Sequence, residues 1–448
     1  MATAGHVAAR AGRLLTVSDD VVLLPDSTRR LRGPAVRPDA RPSRPPDSHW
    51  IPGIQESGTS QVVFTNPVLV SDSAAARAPG PSDSVCSMAE LPRLWVRHEV
   101  RPTERRAPIV PSDARRLVQR GIAVTVEESP QRAFPIGEYA EAGCAVAPSG
   151  GWVDAPLEAY VVGLKELPDG PAELVHRHVF FGHAYKGQQG AGELLRRFAA
   201  GGGELLDIEY LVDSDGRRLA AFGHWAGYVG AALAVLRFRG TLPAPLQPSS
   251  KEALDAALGA SNTGKTEPAA IVVGALGRVG RGARAALATA GIEPTCWDLE
   301  ETRVLDRPAL LGHDIMVNAV LTTGPTTPLL TKEDVEDPAR RLSVVSDVTC
   351  DTASDWNVLP IYQHTTSWER PARRLHDDPP LEIIAIDNLP SLLPREASVA
   401  FSAELTPQLM TLGTADPAWR RCAAEFRAAL ERLERRERLH EAGRPRPT

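Results

Sequence analysis

Little in this sequence points toward a membrane, a metal or a nucleic acid. The longest apolar stretch, AGYVGAALAVL from Ala226, is too short to cross a bilayer and reads as a core helix. The N-terminus carries no basic segment running into sustained apolar residues, so no signal peptide is expected. Cysteine is scarce and scattered: Cys86, Cys144, Cys296, Cys350 and Cys422 form no CxxC pair and no paired Cys/His spacing. A disulfide framework and a metal site are therefore not expected, and a reducing cytoplasm fits. The formal net charge of −6 gives no electrostatic reason to expect nucleic acid or an anionic membrane as partner. What is present is 43% hydrophobic residues in a chain of 448, enough for two or three domains with real cores.

Residues 1–88 stand apart. RLRGPAVRPDARPSRPPDSHW and SDSAAARAPGPSDSVCS are rich in Pro, Ser, Arg and Ala, with little periodicity. Such a segment cannot bury enough apolar surface to offset its chain entropy. A disordered leader that adds nothing to activity is expected, with Met88 directly before the first compact-looking sequence.

From Leu91 strands and helices alternate, the pattern of an α/β domain with a largely parallel sheet. RLWVRHEV reads as a strand, PSDARRLVQRG as a helix ending at Gly121, and IAVTVEES as a second strand. A helix at PIGEYAEAG, a strand near Cys144 to Ala147 and the YVVGLKE strand follow. AGELLRRFAAGGG is a helix stopped by glycines, and ELLDIEYLVDSDGRRLAAFG predicts a hairpin turning at Asp215-Gly216. A helix from Gly223 to Leu236 leaves this block. A second α/β block opens with AAIVVGALGRVGRGARAALATAGIEPTCWDLEETR. Here a strand, a turn of Gly274, Gly277 and Gly280, a helix, and a second strand ending at Trp297-Asp298 follow one another. In that setting the glycines let the backbone approach a pyrophosphate at the helix N-terminus. Asp298 would accept hydrogen bonds from ribose hydroxyls and repel a 2′-phosphate, which reads as NAD rather than NADP. WRRCAAEFRAALERL places Trp419, Cys422, Phe426 and Leu430 on one face of a packing helix.

VVGLKELP, residues 161–168, delivers Lys165 and Glu166 to the end of an apolar run. A solvated strand end is the plain reading. A lysine turned inward instead loses hydration and has its pKa lowered, the condition for a base near neutral pH, with Glu166 opposing the shift.

Taken in order, RHEVRPTERRAPIVPSDARRL, GLKELP, HVFFGHAYKGQQG, GRRLAAFGHWAGYVGAAL, GALGRVGRGA, WDLEET and IDNLPSLLPREAS resemble the NAD-dependent, L-lysine-forming saccharopine dehydrogenases, relatives of alanine dehydrogenase and transhydrogenase. The resemblance runs from about Leu91 to the C-terminal helix. It implies two Rossmann-like doubly wound domains with the active site in the cleft between them. On that basis residues 89–221, completed by 393–448, form the substrate domain and 222–392 the NAD-binding domain, with the crossings near Phe222 and Leu393.

The resemblance also implies roles. Lys165 and His183 match the catalytic pair, one serving the bound secondary amine and the other the water that attacks the imine, in either order. Arg106, Arg218, Lys186, Gln188, Phe222, Thr349, Cys350 and Asp351 match substrate contacts, and guanidinium groups suit the three carboxylates of saccharopine. Arg217, Gly274, Gly277, Arg278, Val279, Gly280, Asp298, Thr302, Val348, Ile386, Asp387, Asn388 and Leu389 match the cofactor site. Outside the matched positions, Glu209 is a candidate partner for the distal ammonium of lysine. The implied partners are saccharopine, L-lysine and 2-oxoglutarate, and the implied state is a monomer. Asn388 stands where the family has histidine, Leu321 where tyrosine is common, Arg101 where lysine opens the motif, and His224-Trp225 in place of an aromatic pair. Two other readings stay open: an amino-acid dehydrogenase of the alanine dehydrogenase or opine type, and a catalytically silent NAD-binding regulator.

Overall fold

In a computed structural model the described residues are 91–442, apart from 189, 262–266, 323 and 353–354. The expected leader lies outside them. The first half comprises β1 (Arg93–Val96), α1 (Pro111–Gln119), β2 (Ala123–Glu127), α2 (Ile136–Glu141), β3 (Ala145–Ala147), β4 (Ala159–Val162), β5 (Arg177–Phe180), α3 (Ala191–Gly201) and β6 (Glu204–Asp207). Its strands form a six-stranded sheet in the order β3-β2-β1-β4-β5-β6, parallel throughout. The helix α4 (Gly223–Phe238) then leads to α5 (Lys251–Ala260), β7 (Ala270–Val273), α6 (Arg278–Thr289), β8 (Thr295–Trp297), α7 (Leu299–Thr302), α8 (Arg307–Leu311) and β9 (Ile315–Asn318). The helix α9 (Lys332–Glu336), β10 (Val344–Asp347), β11 (Arg373–Asp377) and β12 (Pro380–Ile384) complete a second six-stranded sheet, ordered β11-β12-β10-β9-β7-β8. Only β11 among its strands runs antiparallel to its neighbour. These are two Rossmann-like, doubly wound halves, as the resemblance implies, with the largely parallel sheets that the alternation of elements predicts.

The inner strands explain the topology. AYVV of β4, AIVV of β7 and IMVN of β9 are buried at every position, as strands covered by helices on both faces must be. The apolar helix α4 crosses α6 at backbone contact. A Cβ on Gly227 would lie 1.9 Å from the Val279 carbonyl oxygen, and one on Gly282 1.9 Å from that of His224.

After β12 the chain returns to the first half. In α10 (Pro394–Leu409) the Ser398 and Ser402 hydroxyls accept the N–H groups of Ala107 at 2.8 Å and Val110 at 3.0 Å. In α11 (Pro417–Ala442) Trp419, Cys422 and Phe426 are buried, and Leu430 packs against the cluster that holds Phe426.

Several local expectations need correction. The Asp215-Gly216 turn exists, with Gly216 at φ +82°, but it closes only the isolated bridge Val212–Arg218. No hairpin forms, because β6 is spent on the parallel sheet and the chain leaves it through a short 3-10 turn at Ile208–Tyr210. RLWVRHEV and YVVGLKE also contribute shorter strands than expected, ending at Val96 and Val162. Lys165 therefore sits on a loop beyond β4. The strand β5, the helix α5 and the β11–β12 pair were not expected from the sequence.

Candidate active site

The loop after β4 turns Lys165 inward. Its side chain is 13% exposed, and Nζ lies 3.9 Å from Asp387 Oδ2 on the segment after β12. Burial lowers the lysine pKa; Asp387 opposes this, Arg106 and Arg101 add to it, and Glu104 opposes it. Glu166 is not the chief counterweight that the sequence led us to expect. It is turned outward into a two-point pair with Arg101, at 2.8 and 3.0 Å. The same guanidinium reaches Asp387 Oδ2 at 2.7 Å, so Arg101 ties the lysine loop to the second half.

His183 sits on the loop after β5 in the left-handed region, at φ +48°. Its Nδ1 lies 3.5 Å from Glu209 Oε2. Glu209 is largely buried and also meets Lys186 Nζ at 2.7 Å and Arg218 Nη2 at 3.4 Å. Burial alone would raise the Glu209 pKa, but His183, Arg218 and Lys186 outweigh it and hold the carboxyl well below its usual range. Behind it Asp207, fully buried, accepts the Glu209 N–H at 2.9 Å. Burial and the neighbouring Glu209 push Asp207 up to about 6. Asp387 lies within the field of both Lys165 and His183. The charge of Asp387 is thus favoured by both groups, with Lys165 the nearer at 3.9 Å.

The remaining sequence-derived positions fall into clusters. Arg106 is buried, with Nε and Nη2 held by Glu104 at 2.8 and 2.6 Å, and Nη2 also donates to Asn388 Oδ1 at 2.6 Å. Its guanidinium lies 4.0 Å from the Phe222 ring, which stacks on Phe401 at 4.1 Å. The Asn388 side chain therefore belongs to this cluster, and Ile386 and Leu389 are buried beside it. Gln188 is turned back on its own loop, accepting the Lys186 N–H at 2.9 Å. Arg217 is exposed on the turn, 3.6 Å from Asp215. Arg278 donates to the Arg218 carbonyl at 3.0 Å and to Glu404 at 3.0 Å, joining the start of α6 to the first half.

Thr349, Cys350 and Asp351 follow β10. Thr349 donates to Asp347 Oδ1 at 2.7 Å, and Cys350 adopts φ +52°. Asp347 also takes bonds from Asn318 at 3.0 Å and Tyr362 at 2.6 Å, which shapes this loop. Val348 packs toward Gly230 of α4, where an added Cβ would lie 2.7 Å from its Cγ2.

The glycine turn has the shape of a dinucleotide cradle. Gly274 adopts φ +86°, and an added Cβ would lie 2.7 Å from the Ala319 carbonyl oxygen. A Cβ on Gly280 would meet the Gly274 carbonyl at 2.1 Å, so Gly280 lets α6 close on β7. Gly277 caps α6, followed by Arg278 and the buried Val279. Asp298, at the end of β8, accepts the Leu276 N–H at 2.8 Å and the Leu299 N–H at 2.9 Å. Thr302 donates to the Asp298 carbonyl at 2.6 Å. The carboxylate at this turn retains acceptor capacity for hydroxyl donors. Among the described residues no cluster of His, Cys, Asp and Glu could hold a metal ion, and no helix is long and apolar enough to cross a membrane.

Sequence reading missed Glu104, Arg101, Asp207 and Asp347 as members of the site. Glu104 left one trace: a carboxylate set among arginines in RPTERR.

Sequence comparison decides the family. The chain is 38% identical over 365 residues to saccharopine dehydrogenase [NAD(+), L-lysine-forming] of Schizosaccharomyces pombe, an alignment covering 76% of this chain and 99% of the fungal protein. The chain belongs to the NAD(+)-dependent, L-lysine-forming saccharopine dehydrogenase family. A second member, from Emericella nidulans, is 40% identical over 347 residues, covering 71% of this chain and 92% of its own length. Within the wider family, the alanine dehydrogenase/PNT N-terminal domain matches residues 95–229 and the C-terminal domain residues 299–433. A solved L-alanine dehydrogenase shares the fold, with TM-score 0.54 at 17% identity over 77% of this chain and 99% of that one.

Proposed function

We propose that this saccharopine dehydrogenase family member interconverts saccharopine, NAD⁺ and water with L-lysine, 2-oxoglutarate, NADH and a proton. The observation that carries the reading is a buried, pKa-lowered Lys165 lying 3.9 Å from Asp387, with His183 beside Glu209 on the loop after the adjacent strand. The chemistry has two proton-transfer duties, at the secondary amine and at the water that attacks the imine, and Lys165 and His183 are two separate groups to meet them. Lys165, held toward its neutral form, takes the proton of the secondary amine. His183, oriented by Glu209, activates water, and collapse of the carbinolamine releases the two products. When bound, the nicotinamide supplies the hydride acceptor.

The cofactor is NAD, held by the Gly274 turn with Asp298 toward the ribose. Arg106, Arg218 and Lys186 receive substrate carboxylates, with Phe222, Gln188 and the 349–351 loop as the remaining substrate wall. Arg217, Arg278, Val348 and the segment Ile386 to Leu389 complete the cofactor side. We assign residues 89–221 with 393–448 to the substrate domain and 222–392 to the nucleotide domain. Residues 1–88 are a dispensable leader, which a chain begun at Met88 tests by keeping full activity. The enzyme acts as a monomer in the cytoplasm, a reducing compartment that suits the free Cys144, Cys296, Cys350 and Cys422.

The test is a panel with NADH that crosses L-lysine and related amines against 2-oxoglutarate, pyruvate and glyoxylate. L-Lysine with 2-oxoglutarate is expected to give the highest kcat/KM. Preference for ammonia with pyruvate would move the enzyme to the alanine dehydrogenase type instead.

A further inference from the structure

We propose that the buried Arg97–Glu99 ion pair is the positioning device for Lys165, gripping its backbone from both sides. This rests on the reading of Lys165 as the amine's base. Glu99 Oε1 accepts the Leu164 N–H at 2.7 Å and Oε2 accepts the Lys165 N–H at 3.0 Å. Arg97 Nη2 donates to the Lys165 carbonyl, and Nη1 meets Glu99 Oε2 at 3.3 Å and the His98 carbonyl at 3.1 Å. Both peptide groups flanking the lysine Cα are thereby tied to one pair, which leaves the side chain a fixed point of departure.

Neither member has another evident duty. The Arg97 side chain is wholly buried and that of Glu99 is 5% exposed, and beyond their own pairing their side-chain hydrogen bonds run to His98, Leu164 and Lys165. Burying such a pair is a poor way to gain stability, because desolvation offsets much of the attraction. An apolar pair would fill the space, but only a carboxylate offers two oxygens to two successive N–H groups. The sequence makes room for the arrangement at Gly163, where an added Cβ would lie 2.4 Å from Arg97 Nε. The side chain of Arg97 is pinned there, 5.5 Å from the Phe180 ring. Glycine ahead of Leu164-Lys165 is thus required by the guanidinium that holds the lysine.

Glu99→Gln removes one of the two acceptors and Gly163→Ala displaces the guanidinium while leaving both charges in place. Each is expected to lower kcat by about 10- to 10²-fold, the usual penalty for misplacing a reacting group by about an ångström. Each is also expected to move the acid-side limb of the kcat/KM–pH profile to higher pH, as a less confined lysine regains water. NADH affinity, read by fluorescence titration, should stay unchanged. In a Lys165→Met background Glu99→Gln should lower kcat by less than about 2-fold, because the two changes then act through one group. Full additivity in the double variant, or an unmoved limb in both single variants, overturns the clamp alone. Wild-type kcat in Lys165→Met by itself overturns the underlying reading as well. Should Glu99→Gln fail to fold, Gly163→Ala carries the same comparison.

Discussion

Lys165 Nζ lies 3.9 Å from Asp387 Oδ2, the lysine on a loop of the first sheet and the aspartate on a segment of the second. The lysine is thus tuned by a carboxylate supplied from the other sheet. Arg101 competes for the same oxygen at 2.7 Å. The protonation of Lys165 depends on which cation Asp387 serves.

Removing Arg101 therefore has a definite sign. Arg101→Met eliminates a cation that lowers the lysine pKa and frees Asp387 to pair with the ammonium. Lys165 should then bind its proton more tightly, and the acid-side limb of kcat/KM for saccharopine oxidation should move to higher pH. A shift to lower pH would contradict this ordering of charges.

Asp298 should enforce NAD over NADP. Asp298→Ala removes the acceptor for ribose hydroxyls and the anchor of the Leu276 N–H, so the ratio of kcat/KM for the two cofactors should fall by about 10-fold or more. Most of the change should come from weaker NAD use. Equal use of both cofactors by the unmodified enzyme would contradict the role.

Asp207 gives a pH-dependent stability. Its folded pKa, about 6, is raised from the ordinary 3.8, so the folded chain holds this proton more tightly than the unfolded one. The stability it contributes is fully present below about pH 4 and is lost as pH rises through about 6. Asp207→Asn keeps a neutral acceptor there. The variant should gain on the wild type between about pH 4 and about pH 8, by on the order of 3 kcal/mol, read from chemical unfolding at each pH. A difference that stays constant with pH would refute it.

Gly280→Ala forces a Cβ into the Gly274 carbonyl, 2.1 Å away. A loss of about 1–3 kcal/mol in stability and weakened NADH binding are expected together, because the same backbone makes the helix contact and the cofactor turn. Thermal unfolding and fluorescence titration read the two effects.

The sequence made the nucleotide half legible because its information is local. Strand, Gly274 turn, helix and Asp298 lie within one short unit, and each residue type has a backbone reason to be there. The first half was harder. The strand β5 carries His178 at 0% exposure among the rings of Trp152, Phe180 and Phe198, so its sequence hides a buried strand behind polar letters. That Glu104, Arg106 and Asn388 meet one another could not be read from local spacing, since the contacts join residues 282 and 284 positions apart. Lys165 drew attention as a charge following an apolar run, but the carboxylate facing it lies far away in the chain. Resemblance named His183, and nothing in local spacing marked Glu209 as its neighbour.

The pH dependence of Lys165→Met tests the proposed chemistry most directly. The substitution keeps most of the side-chain length and removes the titratable amine. It should lower kcat by about 10² to 10⁴, erase one limb of the kcat/KM–pH profile and leave NADH affinity unchanged. Near-normal kcat with an unaltered profile would make Lys165 a buried structural cation and contradict its assignment as the base.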